Sequence, residues 1–541
     1  MDLLVNGVPP CVVFEDEHLL VVHKPPGLNT HKPDPFAGDG LYDWLRDREP
    51  RWAGLSILHR LDKETSGLIV FGKTRVANVS LSAQFESRAI KKTYHGLTRQ
   101  KPRSPQFSVR TRLTRDGARY RSAETGNLAV THFSLSGPHA LGWLVEVRPE
   151  TGRTHQIRAH AAEHAIPLLG DKLYGGAPFP RLCLHATRLE FLHPVSGEHL
   201  QFDAKADFES PGWSLLRQAI LDPRETDAFR LLHGEPIRHD SPLPPAPTNP
   251  DIERYGHWLL ALGEQDPGEH ELNALQQIQT QTATRGVYFK KLDRKLRTSR
   301  PEAHSTRLVL GEPADAPVIR ENGLSFSVSF QEGYSVGLFL DQRDNRRRLA
   351  RNWIAADFPV WHSEHREPQV LNTFAYTCAF SVAAASAGAV TTSLDLSKKY
   401  LDWGRKNFEL NRLDSARHDF VFGDTFDWLR RWTRKQRKFH VILLDPPTFS
   451  QSRQSGVFRV ASDFHRLVDS ALPLLAPGGV MLASTNSASL RPDEFLAQIR
   501  APIERARRKI LRSHYVPQPI DFPISQSRPA YLKTCWLQIE G

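Results

Sequence analysis

Cysteine is scarce. Four thiols, Cys11, Cys183, Cys378 and Cys535, are scattered through 541 residues with no CxxC spacing. That excludes a zinc ribbon and argues against a disulfide framework, as expected in a reducing compartment. Long apolar runs are missing as well, since no stretch reaches the roughly 18 residues of a membrane span. The opening MDLLVNGVPPCVVFEDEH has no basic flank ahead of an apolar segment and no small-residue cleavage site, so it does not read as a signal peptide. These absences lead to the expectation of a cytoplasmic chain with no membrane partner.

What is there points elsewhere. A chain of 541 residues is too long for one hydrophobic core, so two or three domains are expected. Seventy-one Lys and Arg against sixty Asp and Glu give a formal charge of +11. An excess of that size suits a polyanionic partner, because displaced phosphate counterions drive association.

The clearest break is His233–Pro250, HGEPIRHDSPLPPAPTNP, which is proline-rich, lacks hydrophobic periodicity, and reads as an interdomain linker. Before it, short β-like runs dominate. Val12–Phe14 and Leu19–His23 flank acidic turn residues, and Leu68–Gly72, Thr93–Leu97, Trp143–Val147 and Ala186–Phe191 are further strands. Residues 1–232 are therefore expected to form an α+β domain on a mainly antiparallel sheet. From about Val370, apolar strands (Val370–Phe374, Val390–Asp395, Asp419–Phe422, Val441–Asp445, Val480–Ser484) alternate with helical stretches such as Ser397–Asn411 and Phe464–Leu475. That alternation predicts an α/β, Rossmann-like, doubly wound domain over residues 346–541. Residues 251–345, with the alternating LSFSVSF run at Leu324–Phe330, read as a small β-containing subdomain that serves RNA or substrate.

Five segments carry a resemblance in the first half. They are HRLDKETSGLIVFGKT (59–74), KTY (92–94), GRTHQIRAH (152–160), PLLGDKLYG (167–175) and LHATRLEFLHP (184–194). In order and spacing they resemble the RluA family of pseudouridine synthases. The resemblance implies that Asp62 is the catalytic aspartate, that Arg158 lies against it, and that Tyr94 lies beneath the target base. Making pseudouridine breaks the N1–C1′ bond, turns the uracil and rejoins it through C5, with no redox step or group donor, so no cofactor is expected in this half. Whether the aspartate attacks the ribose, attacks the base or removes a sugar proton stays open. A charged carboxylate in a closed pocket needs a cation nearby. The target base must be flipped out of folded RNA, with Arg60 a candidate to fill the gap; Arg153 and His155 are further RNA contacts. Taken singly, Asp62-Lys63 could be a surface ion pair and Tyr94 a plain core aromatic. His155, His160 and His164 share a helical face without a carboxylate or cysteine to complete a ligand set, so no metal is expected.

The second half resembles class I S-adenosylmethionine-dependent RNA methyltransferases of the large ribosomal subunit, of RlmI and RlmK type. The resemblance runs through ENGLSFSV (321–328), GLFLDQRDNR (337–346), VLNTFAYTCAFSVAAA (370–385), LDLSKKYLDWGRKNFELN (394–411), Gly423-Asp424 and LLDPPTF (443–449). In a doubly wound sheet the ligand crosses the carboxyl ends of the strands. There the resemblance implies S-adenosylmethionine, with Phe374 and Tyr376 at its methionine end, Asp395 on the ribose, Asp424 at the adenine, and Asp445 with Pro446 beside the sulfonium. Asp445 is also placed as the catalytic carboxylate that orients the target base, with Phe449 stacked on that base. Asp341 is expected to reach the cofactor and Arg343 the RNA. Cys378-Ala379 replace the family's usual glycines, so either small side chains still fit or cofactor binding is weakened or lost. The stretch where relatives that methylate pyrimidine C5 carry a nucleophilic cysteine reads STNSAS at Ser484–Ser489. Transfer to a guanine nitrogen is thus expected, with cytosine C5 as the alternative. The implied whole is a two-headed enzyme acting on large-subunit ribosomal RNA, with no obligate protein partner evident; the alternative keeps the first activity and reduces the second half to RNA binding.

Overall fold

The computed structural model describes residues 8–234, 250–292, 306–332, 335–452, 456–524 and 529–541. Its first sheet grows from runs such as Leu19-Leu20-Val21-Val22 and Leu68-Ile69-Val70-Phe71, which are apolar at every position rather than at alternate ones. Such strands must be covered on both faces. Leu20, Val22, Ile69 and Phe71 pack with Trp52, Val145 and Leu184 on one side. Leu19, Val21, Leu68 and Val70 meet Ala77 and Leu81 of the Arg75–Glu86 helix on the other. The resulting sheet is eleven-stranded. Its one parallel pairing joins Ser66–Gly72 to Leu184–Leu192. Gly67 permits that approach: at φ +117° it lies against the backbone of Ala186, where a β-carbon would collide. The tight junction fixes the end of the loop that carries Asp62.

The middle unit is a five-stranded sheet whose outer strand is Ala228–His233, paired antiparallel with Asp251–Tyr255. This corrects the expected division. The proline-rich stretch joins neighbouring strands of one sheet, and the sheet begins before residue 232. Residues 235–249, most of that stretch, lie outside the described residues. The Glu269–Gln281 helix covers one face of the sheet through Leu275 and Ile278. The other face packs Tyr255, Leu260 and Tyr288 against Phe326, Phe330 and Cys378 of the second half.

The second half is a seven-stranded sheet, parallel through its first five strands and closed by two antiparallel C-terminal strands, Ile510–Pro517 and Lys533–Ile539. Alternate residues face opposite layers, as strand periodicity requires. Leu371, Ile442, Leu444 and Met481 pack against Leu467, Ile499 and Ile503, whereas Val370, Val441, Leu443 and Val480 pack against Leu349, Phe380 and Ala383. Among the described residues no helix is long and apolar enough to cross a membrane.

Candidate active sites

In the first half, Asp62 lies in the loop entering the Ser66–Gly72 strand, with its carboxylate only partly covered. Arg158, on the Gln156–Glu163 helix, donates from Nη1 to Asp62 Oδ2 at 3.4 Å. The rest of its guanidinium is held in a fork, Nε to Asp171 Oδ2 at 2.7 Å and Nη2 to Asp171 Oδ1 at 2.8 Å. Asp171 comes from the PLLGDKLYG segment and is fully buried, so a bidentate pair fixes the cation before it meets Asp62. Tyr94 packs into the core, and burial, with the nearby charge of Asp62, pushes its hydroxyl upward.

His155 is the residue from which the helix opens, in a left-handed conformation with φ 56°. Its Nδ1 lies 3.1 Å from the Tyr174 hydroxyl, and its Nε2 lies 4.0 Å from Asp62. Lys63 pairs with Asp39 at 3.0 Å, leaving Asp62 to Arg158. Arg60 and Arg153 are exposed. Lys24 is fully buried and donates to the carbonyls of Pro25, Leu28 and Lys63, tying the Asp62 loop to the Leu19–Lys24 strand. Asp171, Tyr174 and Lys24 were missed as site residues. Asp171 and Tyr174 stand in the quoted motifs, but nothing local reveals what they touch.

In the second half, the turn after the Gln369–Thr373 strand alternates left-handed residues: Phe374 at φ 54°, Tyr376 at 49° and Cys378 at 60°. Successive turns of that kind point backbone N–H groups into a concavity, and non-glycine residues hold them only under constraint. The constraint is visible: Tyr376 N donates to Asp395 Oδ2 at 2.8 Å, and Thr377 Oγ1 donates to the Gly337 carbonyl at 2.6 Å. Asp395 ends the Val390–Asp395 strand and Asp424 follows the adjacent Asp419–Phe422 strand. Asp424 Oδ1 also accepts from Asp427 N at 3.0 Å, capping the next helix. Beside them, Leu396 and Phe422 are large apolar side chains left 47% and 60% exposed. They flank the carboxyl ends of two neighbouring strands, and were also missed.

Asp445 follows the Phe439–Leu444 strand, and its Oδ2 accepts from Gln342 Nε2 at 3.0 Å. The same amide reaches Ser484 Oγ at 2.8 Å. Burial pushes both the Asp445 and Asp341 carboxyls up to about 6, and Asp341 is hydrogen-bonded to Tyr531. Phe449 is exposed, with the Arg459 guanidinium 5.7 Å from its ring centre. Arg343 departs from expectation. It is 4% exposed and donates to both Asp521 oxygens, Nη1 at 2.9 Å and Nη2 at 2.5 Å, so its fork is consumed inside the protein rather than offered to RNA.

The donor set fits an adenosyl-methionine ligand. An N–H-lined turn suits the amino-acid end, and the Asp395 carboxylate retains lone pairs for vicinal hydroxyls. The cysteine that replaces a glycine does not obstruct it, because Cys378 is completely buried against Gly404. No group of histidines, cysteines and carboxylates that could hold a metal occurs among the described residues.

Two carboxylate-centred sites, on two unlike sheets of one chain, define a bifunctional enzyme. The family model described as RNA pseudouridylate synthase matches residues 18–163, and that of S-adenosylmethionine-dependent methyltransferases matches residues 250–527. The chain is 38% identical over 228 residues to ribosomal large subunit pseudouridine synthase D of Zymomonas mobilis, covering 37% of this chain and 70% of that one. It is 34% identical over 337 residues to a ribosomal RNA large subunit methyltransferase of Deinococcus radiodurans, covering 60% of this chain and 76% of that one. Ribosomal RNA large subunit methyltransferase K of Neisseria meningitidis is 36% identical over 190 residues, which are 35% of this chain but only 50% of the relative. The chain belongs to the RNA pseudouridylate synthases through its first half and to the S-adenosylmethionine-dependent methyltransferases through its second.

Proposed function

We propose that the chain isomerises a uridine to pseudouridine in its first half and methylates a guanine nitrogen in its second, both in large-subunit ribosomal RNA in the cytoplasm. The observation that carries the first activity is the Asp171–Arg158–Asp62 arrangement. It keeps a cation against a partly open carboxylate, at a place where a flipped nucleotide can reach it. Tyr94 supports the base from below. The exposed Arg60 and Arg153, with His155 at the rim, meet the RNA backbone and the vacated stack.

In the second half, Phe374 and Tyr376 shape the turn around the methionine end, Asp395 accepts the ribose hydroxyls, and Asp424 serves the adenine between Leu396 and Phe422. Bound S-adenosylmethionine supplies the methyl group. Asp445 and Pro446 orient the target base beside it, with Asp341 close by and Phe449 stacked on the base. Guanine nitrogen is favoured over cytosine C5 by the state of the thiols. Burial pushes Cys11, Cys183, Cys378 and Cys535 all up to about 12, so none offers a thiolate to a pyrimidine ring at neutral pH.

The test is nucleoside mass spectrometry of unmodified large-subunit RNA incubated with the full chain, with and without S-adenosylmethionine. Pseudouridine in both samples and methylguanosine in one are expected. Methylcytidine would overturn the nitrogen assignment, and a mass-neutral, unmethylated product alone would reduce the second half to RNA binding.

A further inference from the structure

Between the two halves lies a cavity of about 60 Å³, walled by residues 32–48 from the first half and by 344–353 and 514–520 from the second. That volume holds on the order of four or five water-sized spheres. It is too small for a nucleoside and adequate for a tetrahedral oxyanion. Its walls hold several donors without partners. Arg48 stacks its guanidinium 4.8 Å from the Trp44 ring centre, and among the described residues its Nε has no hydrogen-bond partner and its guanidinium no ion pair. Arg348 donates only to backbone carbonyls, those of Ile354 and Asp344. Trp353 Nε1 and the Tyr515 hydroxyl are likewise buried without partners.

The carboxylates on the same wall each have a closer partner, and Asp344 and Asp47 act on the cavity's arginines only at longer range. Asp47 pairs with Arg46 at 2.9 Å, Asp43 accepts from Lys32 N at 2.7 Å, and Asp344 faces Arg343 at 3.6 Å. Burial lowers Arg48, Arg347 and Arg348 together, and for Arg347 the charge of Arg48 is the next cause. Asp344 is the largest opposing charge on both Arg48 and Arg348, yet among the described residues neither guanidinium closes a direct ion pair with it. Two half-buried guanidiniums and two orphan donors thus share one small cavity.

We propose that this cleft is a phosphate-binding site, with Arg48 and Arg348 as the cations and Tyr515 and Trp353 as neutral donors. The shared chemistry is a phosphate group, either free orthophosphate or a phosphodiester of bound RNA. Because its donors come from both halves, occupancy ties them together.

Thermal unfolding of the full chain in sodium phosphate, against sodium chloride at equal ionic strength, tests the site. A saturable, phosphate-specific rise in midpoint is expected. Arg48→Gln should weaken phosphate binding by roughly tenfold or more, and Tyr515→Phe by a few-fold, as charged and neutral hydrogen bonds predict. Arg48→Gln should also raise the midpoint in phosphate-free buffer, which loss of a merely structural arginine would not do. The source is distinguished by oligouridylate binding across a salt series. A slope shallower by about one in Arg48→Gln assigns the phosphate to RNA, and an unchanged slope assigns it to the free ion. No phosphate-specific rise together with an unchanged slope overturns the proposal, as does a rise equal in wild type and both variants.

Discussion

The thiol of Cys378 occupies the space that Gly404 leaves empty on the Lys398–Leu410 helix. A β-carbon at 404 would come 2.8 Å from the Cys378 β-carbon and closer still to its sulfur. The side chain that stands where the family usually has a glycine is thus buried in a matching notch of the neighbouring helix. Gly404→Ala should overpack this contact at a cost of about 1–3 kcal/mol and displace the Phe374–Cys378 turn. The expected result is a lower unfolding midpoint and S-adenosylmethionine affinity reduced about tenfold by calorimetry, with pseudouridine formation unchanged. Unaltered affinity would mean that the turn is held independently of this contact.

The parts legible in the sequence are those set by local pattern. The uninterrupted apolar strands, the strand-ending aspartates at 395, 424 and 445, and the Asp62 loop were read from neighbours in the chain. What stayed hidden depends on partners far away. Arg343 sits inside a motif and looks like an RNA contact, but its counter-ion, Asp521, lies 178 residues further on. The Ala228–His233 strand was assigned to the wrong unit because its partner lies across a proline-rich stretch, and pairing is not written in either strand alone. Asp171 was within a quoted motif, yet only the fold brings it to Arg158.

The second prediction follows from that fork. Asp171→Asn removes the charge that orients Arg158 without touching the nucleotide. A small displacement of the cation should lower kcat for pseudouridine formation roughly 100-fold, with KM for RNA little changed; Asp171→Glu should recover part of the loss. Tritium release from 5-labelled uridine in RNA measures both constants. A rise in KM with kcat preserved would show that Asp171 serves RNA binding instead.

A third concerns pH. Asp445 and Asp341 titrate near 6 in the folded chain and near 3.9 when unfolded. A raised carboxyl binds its proton more tightly in the fold, so its contribution to stability is complete below about 3.9 and is lost as pH rises through about 6. Asp445→Asn should therefore stabilise the chain at neutral pH by on the order of 1–2 kcal/mol, with little effect near pH 4, while abolishing methyl transfer. Wild-type methyl transfer should fall as pH drops below about 6, where the carboxylate proposed to orient the base becomes protonated. Denaturant unfolding at the two pH values and a pH–rate profile check the two halves of this claim.

The last prediction separates structure from recognition at Arg343. Asp521 is completely buried, and its oxygens take both Arg343 donors. Arg217 Nη2 donates to the Asp521 carbonyl at 2.9 Å and Arg230 N to its carboxylate at 3.0 Å, so three parts of the chain converge on one residue. Arg343→Gln strands a buried charge and should cost about 3–5 kcal/mol, read as a shift in denaturant midpoint. Asp521→Asn in the same chain should recover part of that loss, since the uncompensated carboxylate is then gone. RNA affinity of the folded protein should stay within about twofold of wild type, because the fork never faces solvent. A selective loss of RNA affinity, with the midpoint unmoved, would return Arg343 to the RNA surface that its sequence neighbourhood suggests.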